Sequence, residues 1–130
     1  MALHDPIADL LTRIRNALHA RMRFVDFPPS RLKVSILKVL EKNGFIERYL
    51  IDEQGRRGRV YLKYAERRQP VLRGLKSLSS PGSRRYVGHR KIPKIYGGMG
   101  LVILSTSQGV IDGETARKDR LGGELLCSVW

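Results

Sequence analysis

The chain has 130 residues, of which 42% are hydrophobic and 28% charged, which fits one folded domain or two very small ones. A formal net charge of +13 attracts polyanions, so nucleic acid or an anionic membrane is the expected class of partner. Because no apolar run approaches the roughly 20 residues of a spanning helix, and no early segment resembles a secretory signal, we expect nucleic acid and no membrane.

Potential metal ligands and disulfide partners are scarce. A single cysteine, Cys127, rules out an internal disulfide, and its apolar surroundings are typical of a small buried hydrophobe. The three histidines, His4, His19 and His89, give no metal-binding spacing. We therefore expect neither a metal site nor another cofactor.

The first half of the chain reads as α-β-α-β-β. Asp5 and Pro6 form a typical helix start, followed by apolar residues at three- and four-residue spacing. Ser30 caps a second helix, which Asn43 and Gly44 end. The predicted elements are a helix at 5–20, a strand at 24–27, a helix at 31–42, and strands at 45–51 and 59–64.

Polar residues of the two helices are candidates for contact with an anion. Arg15 and Asn16 lie off the apolar stripe of the first helix, where a solvated face is the simpler interpretation. Arg31 and Lys33 fall in the first turn of the second helix, where the helix dipole disfavours cations. A phosphate at that helix start would reverse the cost, so the placement indicates an anion there.

A winged-helix DNA-binding protein is the alternative for this half. Two helices followed by a hairpin with a basic tip, at residues 52–58, also describe that class. No residue of the first half separates RNA from DNA.

A polar segment at residues 66–70 ends in proline and interrupts the periodicity, so we place a boundary there. The predicted domains are an N-terminal α/β domain at 1–66 and a C-terminal β-rich RNA-binding domain at 71–130. The elements predicted in the second are a strand at 71–78, a turn at 79–83, a helical turn or two at 92–96, a glycine-rich connector at 97–100, a helix at 113–120 and a strand at 124–130. Trp130 reads as the last core residue. The fold class is α+β, with the second domain mostly antiparallel β with short helices.

A hydroxyl-rich turn separates two apolar segments of the second half. Residues 101–104 are apolar, the pattern resumes after Gly109, and three hydroxyl residues stand between them, Ser105, Thr106 and Ser107. This predicts a buried strand, a tight turn at Gly109 and a return strand. The hydroxyls can contact a partner or cap their own turn, and composition alone favours capping. No Gly-x-Ser-x-Gly elbow or acid/base pair is recognisable, so we expect no enzymatic activity.

Two further segments carry candidate residues. In the basic segment 84–91, Tyr86 could stack on a base or ribose while Arg84 meets phosphate, although a charge run is usually only a solvated face. Glu124 follows Gly122 and Gly123, and at an RNA surface it should accept from a base or ribose or pair with an arginine; an exposed strand end is the simpler interpretation.

Four blocks of the chain resemble the bacterial-type small-subunit ribosomal protein eight family. Residues 100–117, with the Ser-Thr-Ser and Gly-Val-Ile runs, resemble its signature, and residues 5–17 resemble its first helix. The other two blocks are Pro81-Gly82 with Arg84 and Tyr86, and Gly122-Gly123-Glu124 with the ending 127–130. The resemblance covers essentially the whole chain.

The resemblance implies a two-domain protein that binds the central domain of the small-subunit ribosomal RNA and helps to assemble the platform, in cytoplasmic ribosomes. It implies neighbouring ribosomal proteins, with proteins five and twelve expected among them, and, for some members, repression of their own operon messenger RNA. For the main RNA contact it implies eight residues of the C-terminal half: Ser105, Thr106, Ser107, Tyr86, Arg84, Gly122, Gly123 and Glu124. For contact with a second RNA helix it implies five residues of the N-terminal half: Arg15, Asn16, Ser30, Arg31 and Lys33. The basic segments 55–59 and 88–91 lie where the family varies, and no specific contact is expected of them.

Overall fold

The computed structural model describes residues 5–130, so His4 and the first four residues of the predicted N-terminal domain lie outside the described part. The helices and strands, in chain order, are α1 (Pro6–His19), β1 (Phe24–Phe27), α2 (Arg31–Lys42), β2 (Ile46–Ile51), β3 (Gly58–Leu62), β4 (Leu75–Ser77), β5 (Tyr86–Val87), β6 (Leu101–Thr106), β7 (Gly109–Asp112), α3 (Gly113–Lys118) and β8 (Gly123–Val129). Short 3₁₀ turns occupy Glu66–Arg68, His89–Lys91 and Tyr96–Gly98. The predicted α+β class is confirmed.

Each of the three α-helices within residues 5–130 starts at a side-chain cap. The carboxylate of Asp5 accepts from the Ala8 amide at 3.1 Å, and the Ser30 hydroxyl accepts from the Lys33 amide at 3.3 Å. Asp112 accepts from both the amide and the hydroxyl of Thr115. Each cap satisfies a backbone donor that the helix itself leaves free. The three predicted helix starts are therefore confirmed.

The strands form two antiparallel sheets. The first has the strand order β1-β3-β2, and the second has the order β4-β8-β6-β7 with β5 also paired to β8. β8 is central to the second sheet because it pairs with β4, β5 and β6. Strands that are distant in sequence thus meet along one C-terminal strand.

The main hydrophobic core runs through both halves of the chain. α1 and α2 contribute Leu10, Ile14, Ile36 and Leu40, all with no exposed surface, and the same cluster includes Cys127 of β8. A smaller core lies under α3, with Ala116 in it. The division into domains at residues 66–71 stays a prediction.

Several expectations need correction. The predicted strand at 71–78 is reduced to Leu75–Ser77, because the amide of Val71 donates to the Lys63 carbonyl and those of Arg73 and Gly74 share the Trp130 carbonyl, outside a regular strand pairing. Gly74 also packs so closely on Trp130 that a Cβ there would collide with the indole ring. Trp130 itself is half-buried rather than a core residue. Helical turns lie on either side of residues 92–95 rather than within them. Leu37 belongs to the buried face of α2, which the sequence did not indicate.

Among residues 5–130, no helix is both long and apolar enough to cross a membrane. The same residues contain no group of three or more acidic, histidine or cysteine side chains placed to hold a metal ion. Cys127 is a free, buried cysteine, as expected, and burial raises the pKa of its thiol to about 12. Burial and the raised pKa both disfavour the reactive thiolate form.

Candidate nucleic-acid interface

Three candidate residues from separate segments form one row across the second sheet. Tyr86 of β5 lies opposite Glu124 of β8, and Glu124 lies opposite Ser105 of β6. Directly opposed residues of antiparallel strands have neighbouring side chains on the same face. We call Tyr86, Glu124 and Ser105 the recognition row. Tyr86 is 67% exposed, so its ring is open to a partner.

Gly122 and Gly123 let the strands of the recognition row approach each other. A Cβ on Gly122 would lie 2.6 Å from the carbonyl oxygen of Val87, and one on Gly123 would collide with the carbonyl oxygen of Ser105. Glycine in a strand often marks such a close backbone approach. These two predicted site residues therefore have a structural role, since they allow the close approach of the strands, and their contact with RNA stays a prediction.

The hydroxyls of residues 105–107 differ in whether they form hydrogen bonds inside the protein. Thr106 caps the turn, since its hydroxyl donates to the Gly109 carbonyl at 2.8 Å and accepts from the Gln108 amide at 3.1 Å. The hydroxyls of Ser105 and Ser107 make no hydrogen bond within residues 5–130, where Thr106 alone of the three does so. The turn falls at residues 107–108, and the strand includes Ser105 and Thr106, so the polar strand end is longer than the sequence indicated.

Arg84 neutralises the carboxylate of the recognition row. Its guanidinium nitrogen lies 3.1 Å from Oε2 of Glu124, whose side chain is only 14% exposed. Of the alternatives for Glu124, pairing with an arginine is the one observed. The paired carboxylate repels phosphate less and keeps acceptor sites for a base amino group or a ribose hydroxyl.

The first turn of α2 lies next to the row. A cleft of about 160 Å³ is lined by Leu32 together with Arg84 and Glu124. On the neighbouring surface, Ser30 and Arg31 line a groove of about 420 Å³ with Lys38, which sequence reasoning missed. Lys38 lies about two turns after Arg31 on α2, and this helical spacing is the signal that could have identified it. Gln108, exposed in the hydroxyl turn, was also missed.

Lys33 is placed differently from the expectation of an exposed cation. Its side chain is buried, at 4% exposure, and its ammonium donates to the Pro28 carbonyl at 2.8 Å. The residue thus fixes the loop before α2, and its burial argues against direct contact with an anion.

The two polar candidates of α1 also differ. Arg15 is half-buried and donates to the carbonyl of Leu75, joining α1 to the second sheet. Asn16 is exposed. Whether either contacts RNA stays a prediction, and for Arg15 part of the donor set is already used inside the protein.

A basic α+β chain that presents an aromatic ring, hydroxyls and a neutralised carboxylate in one row has the features of an RNA-binding protein. A family model described as "Ribosomal protein S8" matches residues 5–130. The chain belongs to the ribosomal protein S8 family.

Three relatives are each described as "Small ribosomal subunit protein uS8". The one from Protochlamydia amoebophila is 51% identical over 133 residues, and the one from Geobacter sulfurreducens is 52% identical over 132, with both chains fully covered in each case. The one from Chlamydia felis is 53% identical over 128 residues, covering 97% of this chain and 96% of the relative. Since the match spans both halves, the winged-helix alternative is wrong.

Proposed function

We propose that this protein binds the central domain of the small-subunit ribosomal RNA and helps to assemble the platform of the subunit. As a member of the ribosomal protein S8 family, it is a structural constituent of the small ribosomal subunit and binds ribosomal RNA. Its role is binding and not catalysis.

The recognition row is the observation that carries this proposal. A-form RNA hides its major groove and offers a wide minor groove lined by ribose hydroxyls, and it unstacks bases at bulges and distortions. Tyr86 supplies a ring for stacking, and Ser105 and Ser107 supply free hydroxyls. Glu124 supplies acceptor oxygens held by Arg84. Recognition is thus assigned to groups with no net charge, and the +13 charge supplies long-range attraction.

A second RNA helix is assigned to the start of α2. Ser30 and Arg31 are exposed there, and the next residue of the helix, Leu32, lines the cleft beside the row, which supports one continuous interface. We include Asn16 and Arg15 of α1 as its outer part, and we add Lys38. Lys33 acts through the loop that it fixes. In this proposal residues 1–66 hold the second RNA helix, and residues 71–130 form the main RNA-binding domain.

The remaining parts of the proposal follow from ribosomal membership. The protein works in the ribosomes of the cytoplasm, next to other small-subunit proteins, with proteins five and twelve as the expected neighbours. Binding to its own operon messenger RNA requires that the messenger present a structure like that of the ribosomal RNA site. No cofactor or membrane enters the proposal.

Binding to a structured central-domain RNA fragment and to duplex DNA of equal length, each at two salt concentrations, tests the proposal. We expect the RNA to bind more tightly at both, with an affinity ratio that persists at the higher salt, because contacts of the recognition row release few counterions. Equal affinity with equal salt dependence would contradict it, since charge alone would then account for binding.

A further inference from the structure

The outer face of the first sheet carries a group of side chains that the recognition row does not involve. Opposed pairs place Phe24, Tyr61 and Arg48 in one cross-strand line, and Asp26, Arg59 and Leu50 in the next. Alternate residues such as Val60 point into the core instead. We call these six residues the outer sheet face.

Arginines lie over both aromatic rings of this face. The Arg59 guanidinium carbon is 3.9 Å from the ring centroid of Phe24, and that of Arg48 is 4.3 Å from the centroid of Tyr61. The two rings are 5.9 Å apart. A planar guanidinium stacked on a ring stays flat and exposes its second side, on which a nucleobase can stack.

The outer sheet face carries a net positive charge, because only one of its two arginines is paired with a carboxylate. Asp26 is its only carboxylate, and it already accepts from Arg59 at 2.7 and 3.2 Å. Within residues 5–130, Arg48 forms no ion pair, and neither do the two arginines at the adjoining hairpin tip, Arg56 and Arg57. These three cations are available to an anion.

The hairpin tip is held in place by the side chain of Asp52. The carboxylate of Asp52 accepts from the amides of Arg56 and Arg57, at 2.7 and 3.1 Å. The two side chains consequently project from a fixed turn. Together with Arg59, Tyr61 and the 51%-exposed Leu50, they line a groove of about 700 Å³. That volume is in the range of pockets that take small ligands, of the order of 300–1,000 Å³.

We propose that the outer sheet face binds an unpaired RNA segment, with bases stacked on the guanidiniums of Arg48 and Arg59 and phosphates held by Arg56 and Arg57. The proposal rests on the function proposed above and adds a third RNA contact to those at the recognition row and at the start of α2. Unpaired RNA is favoured over a helix because stacking needs the open face of a base, which a continuous helix does not present. It is favoured over an acidic peptide because a peptide would use the free cations and leave the stacked guanidinium planes unused.

The probe is a six-nucleotide polyuridylate, titrated into the isotope-labelled full-length protein and followed by NMR. We expect shifts of the Phe24 and Tyr61 ring signals and of the β1–β3 amides. The double variant Arg48→Gln/Arg57→Gln should bind the hexamer about fivefold or more weakly, with a salt slope lower by about 0.7, because one phosphate contact and one stacking plane are lost. The matched control Lys42→Gln/Lys118→Gln removes two exposed charges elsewhere and should weaken binding less than twofold.

Two outcomes would overturn the proposal. If the shifts are absent from the outer sheet face, or if the double variant and its control lose affinity equally, the hexamer binds only through the general positive charge of the protein. Stronger shifts with a hexaglutamate peptide than with the RNA would make this face a protein interface. If the central-domain fragment still binds the wild type in either case, only this inference fails; loss of that binding as well would contradict the function itself.

Discussion

Ser105 and Glu124 lie directly opposite one another on β6 and β8, and Glu124 is flanked on its other side by Tyr86 of β5. The recognition row is therefore a product of strand pairing, and it exists only while three strands keep their register. A shift of one residue along β8 would turn Glu124 to the opposite face. Recognition and the stability of this sheet are consequently coupled.

The close approach of β6 and β8 predicts a large effect of a single methyl group. Gly123→Ala should lower the free energy of unfolding by about 2 kcal/mol or more, because the new Cβ collides with the Ser105 carbonyl. Gly88→Ala is the control, since a Cβ there meets no atom within 4 Å. Urea denaturation of both variants measures the difference. Equal stabilities would mean that the strands can separate at no cost.

The Arg84–Glu124 pair predicts opposite effects on two kinds of binding. Glu124→Gln keeps an acceptor but removes the charge that holds Arg84, so specific binding of the central-domain fragment should weaken by about 1.5 kcal/mol or more. The released guanidinium should at the same time strengthen binding to unrelated RNA. Competition titrations with both RNAs measure the two effects. Weakening of both by the same factor would contradict the pairing role.

Burial of Lys33 predicts that its loss affects folding before binding. Lys33→Met should lower stability by about 1–2 kcal/mol through the lost bond to Pro28, with RNA affinity nearly unchanged. Arg31→Gln, at an exposed position in the same turn, should do the reverse. Thermal melts and RNA titrations of the two variants compare them. A large affinity loss in a stably folded Lys33→Met protein would show that the ammonium reaches the RNA.

The ion pair on the outer sheet face gives a pH dependence of known sign. The hydrogen bond from Arg59 holds the pKa of the Asp26 carboxyl below its usual range. A carboxyl with a lowered folded-state pKa stabilises the fold above its unfolded pKa of about 3.9, and this contribution is lost as pH falls through the lower value. Since both side chains are well exposed, Asp26→Asn should cost only a few tenths of a kcal/mol at pH 6. The cost should shrink by pH 3, as urea denaturation at both pH values would show; a constant cost would exclude the charge as its source.

Local chemistry made the helices predictable, whereas the site depended on pairing. Asp5 and Ser30 predict where their helices start, because a cap acts within one turn. The alignment of Tyr86 with Ser105 requires β8 between them, and no local pattern states which strands will be neighbours. Lys33 could not be placed from its sequence position, because a long lysine at a helix start can reach either solvent or a backbone carbonyl. The resemblance to the family supplied what periodicity could not, the choice of residues around the hydroxyl turn.

The hydroxyl turn allows the most direct test of recognition by uncharged groups. Ser107 is exposed and makes no hydrogen bond within residues 5–130, whereas Thr106 bonds within its own turn. Ser107→Ala should therefore act on binding, and Thr106→Ala, its matched control, should act on stability.

The deciding measurement is the affinity of wild type and Ser107→Ala for the central-domain RNA fragment at two salt concentrations. We predict a loss of about 1 kcal/mol or more in binding, an unchanged salt slope and an unchanged melting temperature. Intact binding together with a lower melting temperature would contradict recognition by Ser107 and show that the serine only caps its turn.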